Sequence, residues 1–162
     1  MGSSKGSSKD RHRTIELLAK HEEAIGRLYE EYAARFPEQH AFWLKLSEEE
    51  YEHAEWIRTL DPEIKDYSLS LSEDRFKAGT LERSLAWVTF QTGRAQKGDL
   101  SVDEALTVAL DVENSLIENK CFEVFEHDPP KFKKVLRELA SATENHRKRV
   151  ESTWRGTRRS RR

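Results

Sequence analysis

The chain has 162 residues, 36% of them charged and 36% hydrophobic, with seven Gly, four Pro and a formal net charge of −2. That length suits one domain with a sizeable core, and few breakers beside abundant Glu, Leu, Ala, Lys and Arg favour long amphipathic helices over a sheet. The near-neutral balance argues against a chain-wide nucleic-acid binder, and the single Cys121 excludes both an intramolecular disulfide and a rubredoxin-type or zinc-ribbon iron site.

The opening, MGSSKGSSK, lacks an apolar signal core and reads as a flexible leader over residues 1–9. No apolar stretch approaches the roughly 20 residues that span a bilayer, so no membrane is expected and the cytoplasm is the default compartment. A first helix is predicted from about Asp10 or Thr14 to Phe36. Pro37 ends it and suits the first turn of a second helix, which runs to Leu60 before Asp61-Pro62. Helices joined so tightly form an antiparallel hairpin.

Residues 61–100 read as a long connection containing a helix near Thr80–Gln96, apolar at Leu81, Leu85 and Val88, with Trp87 a further candidate for that face. Gly98-Asp99 breaks the chain. Ser101-Val102-Asp103-Glu104 is a capping box and opens a third main helix, predicted to reach about Glu126. Asp128-Pro129-Pro130 ends it and caps a fourth, which runs to about Trp154. Arg155–Arg162 holds five arginines and no acid. It reads as a flexible, solvated tail, with an anionic partner such as nucleic acid as the alternative. The domain is therefore residues 10–154, an all-α four-helix bundle of two antiparallel hairpins with a long, partly helical crossover.

Apolar residues on a core-facing helix recur at steps of three and four. The first helix shows Ile15, Leu18, Glu22, Ile25, Tyr29, Tyr32 and Phe36 in that register. The second shows Trp43, Leu46, Glu50, His53, Ile57 and Leu60. The third shows Leu106, Ala109, Glu113, Leu116 and then Lys120 or Cys121. The fourth shows Phe132, Val135 or Leu136, Leu139, Thr143, His146 and Val150. Each stripe thus carries a polar or ionisable group near its middle. Burying a lone carboxylate is costly unless it is paired, protonated or metal-bound, so four helices doing it together suggest one shared site. His53 follows Glu22 by 31 residues and His146 follows Glu113 by 33, as if one hairpin were used twice. Glu50 stands three before His53, on the same face.

Taken together, Glu22…Glu50-Tyr51-Glu52-His53…Glu113…His146 on two hairpins resembles the rubrerythrin-like branch of the ferritin-like superfamily, over about Arg13 to Trp154. The resemblance implies two metal ions, iron first, with manganese or zinc also compatible. Glu22 and His53 would hold one ion, Glu113 and His146 the other, and Glu50 would bridge them. Tyr29, Thr143 and Glu144 would stand beside these ligands. A second bridging carboxylate is expected three before His146, but Thr143 occupies that place and Glu144 lies about 100° off the stripe. The implied activity is ferrous iron oxidation or peroxide or dioxygen reduction, in a homodimer, with an external electron donor for peroxide reduction. The rival reading is a non-enzymatic metal-binding or helical interaction module with a degenerate di-metal site; the plain alternative for the five residues themselves is a metal-free buried hydrogen-bond network that fixes helix register. Glu23, Glu49, Glu52, Glu55 and Glu118 read as solvated faces. His12, His21, His40 and His127 read as surface residues.

Overall fold

In a computed structural model of the chain the described residues are 4–60, 78–124, 126 and 128–162, and every regular element among them is helical. The elements are α1 (Ser4–Arg35), a 3₁₀ turn (Pro37–Gln39), α2 (His40–Arg58), α3 (Ala78–Lys97), α4 (Val102–Glu118) and α5 (Pro130–Arg159). Residues 61–77 of the expected crossover, and His127, lie outside the described residues. No helix of the described residues is long and apolar enough to cross a membrane.

The local signals act much as their chemistry requires. Phe36, ahead of Pro37, leaves the helical region at φ −118°, ψ 82°, which ends α1. The capping box closes both ways: Ser101 N–H donates to Glu104 Oε2 at 2.7 Å, and Glu104 N–H donates to Ser101 Oγ at 3.2 Å. α3 stops at Gly98, whose φ of 72° puts it in the left-handed region. Gly98 N–H bonds Ala95 O and Asp99 N–H bonds Arg94 O, which closes the helix end.

Three boundaries differ from the sequence reading. α4 ends at Glu118 rather than near Glu126, because Lys120 turns left-handed at φ 52°. Its N–H bonds Ile117 O while Cys121 N–H bonds Leu116 O, the same terminating motif without a glycine to announce it. α1 starts at Ser4, so the backbone of residues read as a leader is already helical. α5 continues through most of the arginine segment to Arg159. Arg155 pairs with Glu151 one turn back at 2.5 Å, and Arg161 pairs with Asp103 at the start of α4.

Packing follows the stripes. Ile15, Leu18, Ile25, Tyr29, Tyr32 and Phe36 of α1 are buried, as are Trp43, Leu46, Ile57 and Leu60 on and just beyond α2. The two helices approach closely where α1 carries Gly26: Ser47 Oγ donates to Gly26 O at 2.8 Å, and a Cβ there would meet the Tyr51 ring at 3.1 Å. α3 runs parallel to α1, as the successive pairs Arg13–Glu82, Glu31–Gln96 and Arg35–Gly98 show. Leu81 and Val88 are buried on its inner face, while Trp87 and Phe90 are exposed. α4 packs on α5. α5 runs antiparallel to α2, with Glu49 beside Arg149 and Gln39 beside Thr157.

The two left-handed positions should respond oppositely to substitution. Lys120→Gly relieves a Cβ penalty and is expected to raise unfolding free energy by about 1 kcal/mol. Gly98→Ala adds that penalty and drives a methyl to within 2.6 Å of the Arg35 guanidinium, so it should destabilise. Urea unfolding of both variants checks this, and a neutral Gly98→Ala would refute it.

Candidate metal centre

Four helices bring five ionisable side chains to one buried place: Glu22 from α1, Glu50 and His53 from α2, Glu113 from α4 and His146 from α5. Glu22 and Glu113 are 0% exposed, Glu50 is 1%, and both histidines are 2%. Glu50 lies at the centre. Its Oε2 is 3.0 Å from His53 Nδ1 and its Oε1 is 2.8 Å from His146 Nδ1. The two imidazoles stack at 5.1 Å between centroids, 23° from coplanar. Each Nδ1 also faces a second glutamate: Glu22 Oε2 lies 3.5 Å from that of His53, and Glu113 Oε1 lies 3.7 Å from that of His146.

These longer contacts are ion pairs without directed hydrogen bonds. Both Glu22 oxygens and Glu113 Oε2 are buried and accept no hydrogen bond. An unsatisfied buried polar atom costs about 1–3 kcal/mol, and more when charged. Donor atoms of Glu50, His53 and His146 lie within 4.8 Å of one another, a grouping that could hold a metal ion. Carboxylate and imidazole donors suit iron, manganese or zinc, and the unpartnered oxygens fit a cation better than a closed hydrogen-bond network.

Surrounding contacts hold the cluster. Tyr29 Oη donates to Glu113 Oε1 at 2.7 Å. Burial, then the charges of Glu113 and Glu50, push the Tyr29 phenol well above its ordinary value, so it stays a donor. His146 Nε2 lies 2.8 Å from Glu49 Oε2, which also takes Arg149 Nη1 at 2.5 Å. With carboxylates at both ring nitrogens, His146 is an imidazolium in the metal-free protein. Burial alone would lower the His146 and His53 values. Glu113 and Glu50 instead raise the first to about 11, and Glu22 and Glu50 raise the second to about 10. Burial, reinforced by Glu22 and Glu113, lifts Glu50 to about 7. Burial also opposes ionisation of Glu22, but His21 and His53 outweigh it and hold that carboxyl well below its usual range.

Several residues sit elsewhere than their sequence positions suggested. Thr143 is buried, but its hydroxyl donates to Leu139 O at 2.9 Å, and it borders a cavity of about 300 Å³ lined also by Leu116, Phe122 and Ala140. Glu144 takes two hydrogen bonds from Arg147, at 2.7 and 3.0 Å. Glu49, read as a solvated face, backs the His146 ring. His21, read as a surface residue, is 1% exposed because α3 covers it, with Ser84 Oγ 2.7 Å from Nε2. Neither lies on a stripe, so periodicity carried no signal for them. His40 is exposed, its Nδ1 at 3.0 Å from Ala33 O. Compared with family models, curated proteins and solved structures, the chain matches none of them.

The sign of the pH dependence follows from three raised values. A group that binds its proton more tightly when folded stabilises below its unfolded value and loses that contribution as pH climbs through the folded one. Glu50 loses it between about 4.5 and 7, and the histidines between 6.5 and about 10–11. Metal-free protein should therefore melt at lower temperature at pH 9 than at pH 6, with a shallower slope in Glu50→Gln. Calorimetric melts across that range test it, and a rising profile would count against the assignment.

Proposed function

We propose that the chain is a ferritin-like di-metal carboxylate protein of the rubrerythrin-like kind, acting in ferrous iron oxidation or in peroxide or dioxygen reduction. One observation carries this reading: Glu50 turns each oxygen to a different histidine, and each histidine faces its own buried, poorly partnered glutamate. In this reading α1, α2, α4 and α5 are the four bundle helices, and α3 is the crossover running along α1.

Glu22 and His53 would hold one ion, Glu113 and His146 the second, and Glu50 both. A pair of redox-active ions there supplies two electrons to one oxidant. The chain's residues do the rest. His53 and His146 give up their ring protons on loading, so binding strengthens as pH rises. Glu49, held by Arg149, fixes the plane of the His146 ring. Tyr29 restrains Glu113, and the buried Tyr32, Trp43 and Leu106 keep the surroundings dry. With Cys121 the one cysteine, the chain has no rubredoxin-type iron site, so electrons for peroxide reduction would come from an external donor.

A non-enzymatic metal-binding module is the second reading, favoured by Thr143. Its hydroxyl is committed to Leu139 O, and Glu144 is committed to Arg147, so neither of these positions supplies a second bridging carboxylate. Elemental analysis after anaerobic ferrous loading should give about two ions per chain on the di-metal template. Oxygen or peroxide consumption by the loaded protein then separates enzyme from binder. No metal above a His53→Ala plus His146→Ala control would defeat both readings.

Two substitution pairs refine the test. Glu22→Gln should weaken loading at least about tenfold, the scale of a lost ligand contact. Glu23→Gln, which weakens only the ion pairs with Arg58 at 2.6 Å and Arg27 at 4.0 Å, should leave loading unchanged. Equal losses would contradict the ligand assignment. Thr143→Glu adds the missing charge, so it should tighten metal at the Glu113/His146 position and lower the melting temperature of the metal-free protein. Titration calorimetry and melting of that variant check both arms.

A further inference from the structure

His21 is a buried imidazole that the five-residue cluster leaves out. It precedes Glu22 on α1 and is 1% exposed, and its Nδ1 has no hydrogen-bond partner. That nitrogen lies 3.9 Å from Glu22 Oε1, an oxygen that also accepts nothing. The other Glu22 oxygen is 3.5 Å from His53 Nδ1. Two polar atoms left facing each other beyond hydrogen-bond reach are costly in a dry core. The same separation suits two donors to one cation: bonds of about 2.1 Å allow donors up to about 4.2 Å apart.

The far side of the ring points the same way. His21 Nε2 lies 2.7 Å from Ser84 Oγ on α3. With Nε2–H donating to that hydroxyl in a metal-loaded protein, Nδ1 would be left bare and aimed towards Glu22. A metal-binding histidine characteristically gives its other N–H to a fixed acceptor, which sets the tautomer and the plane of the ring. Ser84 meets that need here, as Glu49 does for His146.

We propose that His21 is a third imidazole ligand, completing the Glu22/His53 metal position through Nδ1, with Ser84 of α3 fixing its tautomer. This rests on the di-metal reading and deepens it. The two positions become chemically unlike: His21, His53, Glu22 and Glu50 at one, His146, Glu113 and Glu50 at the other. The first ion therefore settles beside α1, and α3 helps to build the site.

Cobalt(II) is the probe, added anaerobically to the full chain and followed by titration calorimetry and proton NMR. Each imidazole bound through Nδ1 keeps an exchangeable Nε2–H whose resonance the ion shifts far from the diamagnetic range. The loaded wild-type protein should show three such resonances and His21→Gln two. The tighter cobalt affinity should fall by about 10- to 100-fold in His21→Gln, and by about tenfold in Ser84→Ala, while the weaker step is unchanged. Two shifted resonances in wild-type protein carrying two cobalt ions would overturn the His21 assignment and leave the di-metal reading standing. Wild-type protein that takes up no cobalt would overturn both. The wild-type count needs no variant to fold, so it decides even where His21→Gln is too unstable to load.

Discussion

Glu50 offers its two carboxylate oxygens to imidazoles that arrive from different helices, His53 from one turn along α2 and His146 from α5. Removed from water, that carboxylate needs positive charge on both sides, and only the packed helices supply it. The apolar residues of the α1–α2 hairpin and the α4–α5 pair form one buried cluster, and this polar joint sits within it. Tyr29 reaches Glu113 from one side, and Glu49 reaches His146 and Arg149 from the other. Apolar packing holds each pair together, while the register between the pairs is set by directed, charge-assisted contacts. Such contacts tolerate little sliding, which is what a site built from four helices requires.

Stability and chemistry pull in opposite directions at that joint. Three glutamates and two histidines in a dry core are a poor way to stabilise a metal-free helical protein, since apolar side chains of similar volume serve as well or better. On the proposed di-metal reading the arrangement would become favourable once cations replaced the ring protons and engaged the unpartnered oxygens of Glu22 and Glu113. Sites that violate the ordinary rules of core composition at several positions at once are where function is expected.

The outer contacts are as specific as the inner ones. Glu49 with Arg149, Ser84 with His21, and Tyr29 with Glu113 each hold one inner side chain by its far atom. Two of these three involve residues one position off a core stripe. A helix can use the flank of its stripe this way only when another helix covers that flank: α5 does so for Glu49, and α3, through Ser84, for His21.

How much could be read in advance differs by residue. Periodicity placed Glu22, Glu50, His53, Glu113 and His146 on core faces, because a helix repeats every 3.6 residues and a buried face must keep that repeat. Pro37, the Ser101–Glu104 box and Gly98 marked boundaries, because each acts on backbone within a few residues of itself. The end of α4 was not legible, since Lys120 adopts a left-handed backbone that its residue type does not advertise. The burial of His21, the turning of Glu49 to His146 and the pairing of Glu144 with Arg147 were not legible either. A residue at the edge of a stripe is buried or solvated according to which neighbour packs over it. By itself the sequence determined which groups stand on the core stripe of each helix. Only the tertiary structure decided which of them meet, because that depends on where α3 and α5 lie against the first hairpin.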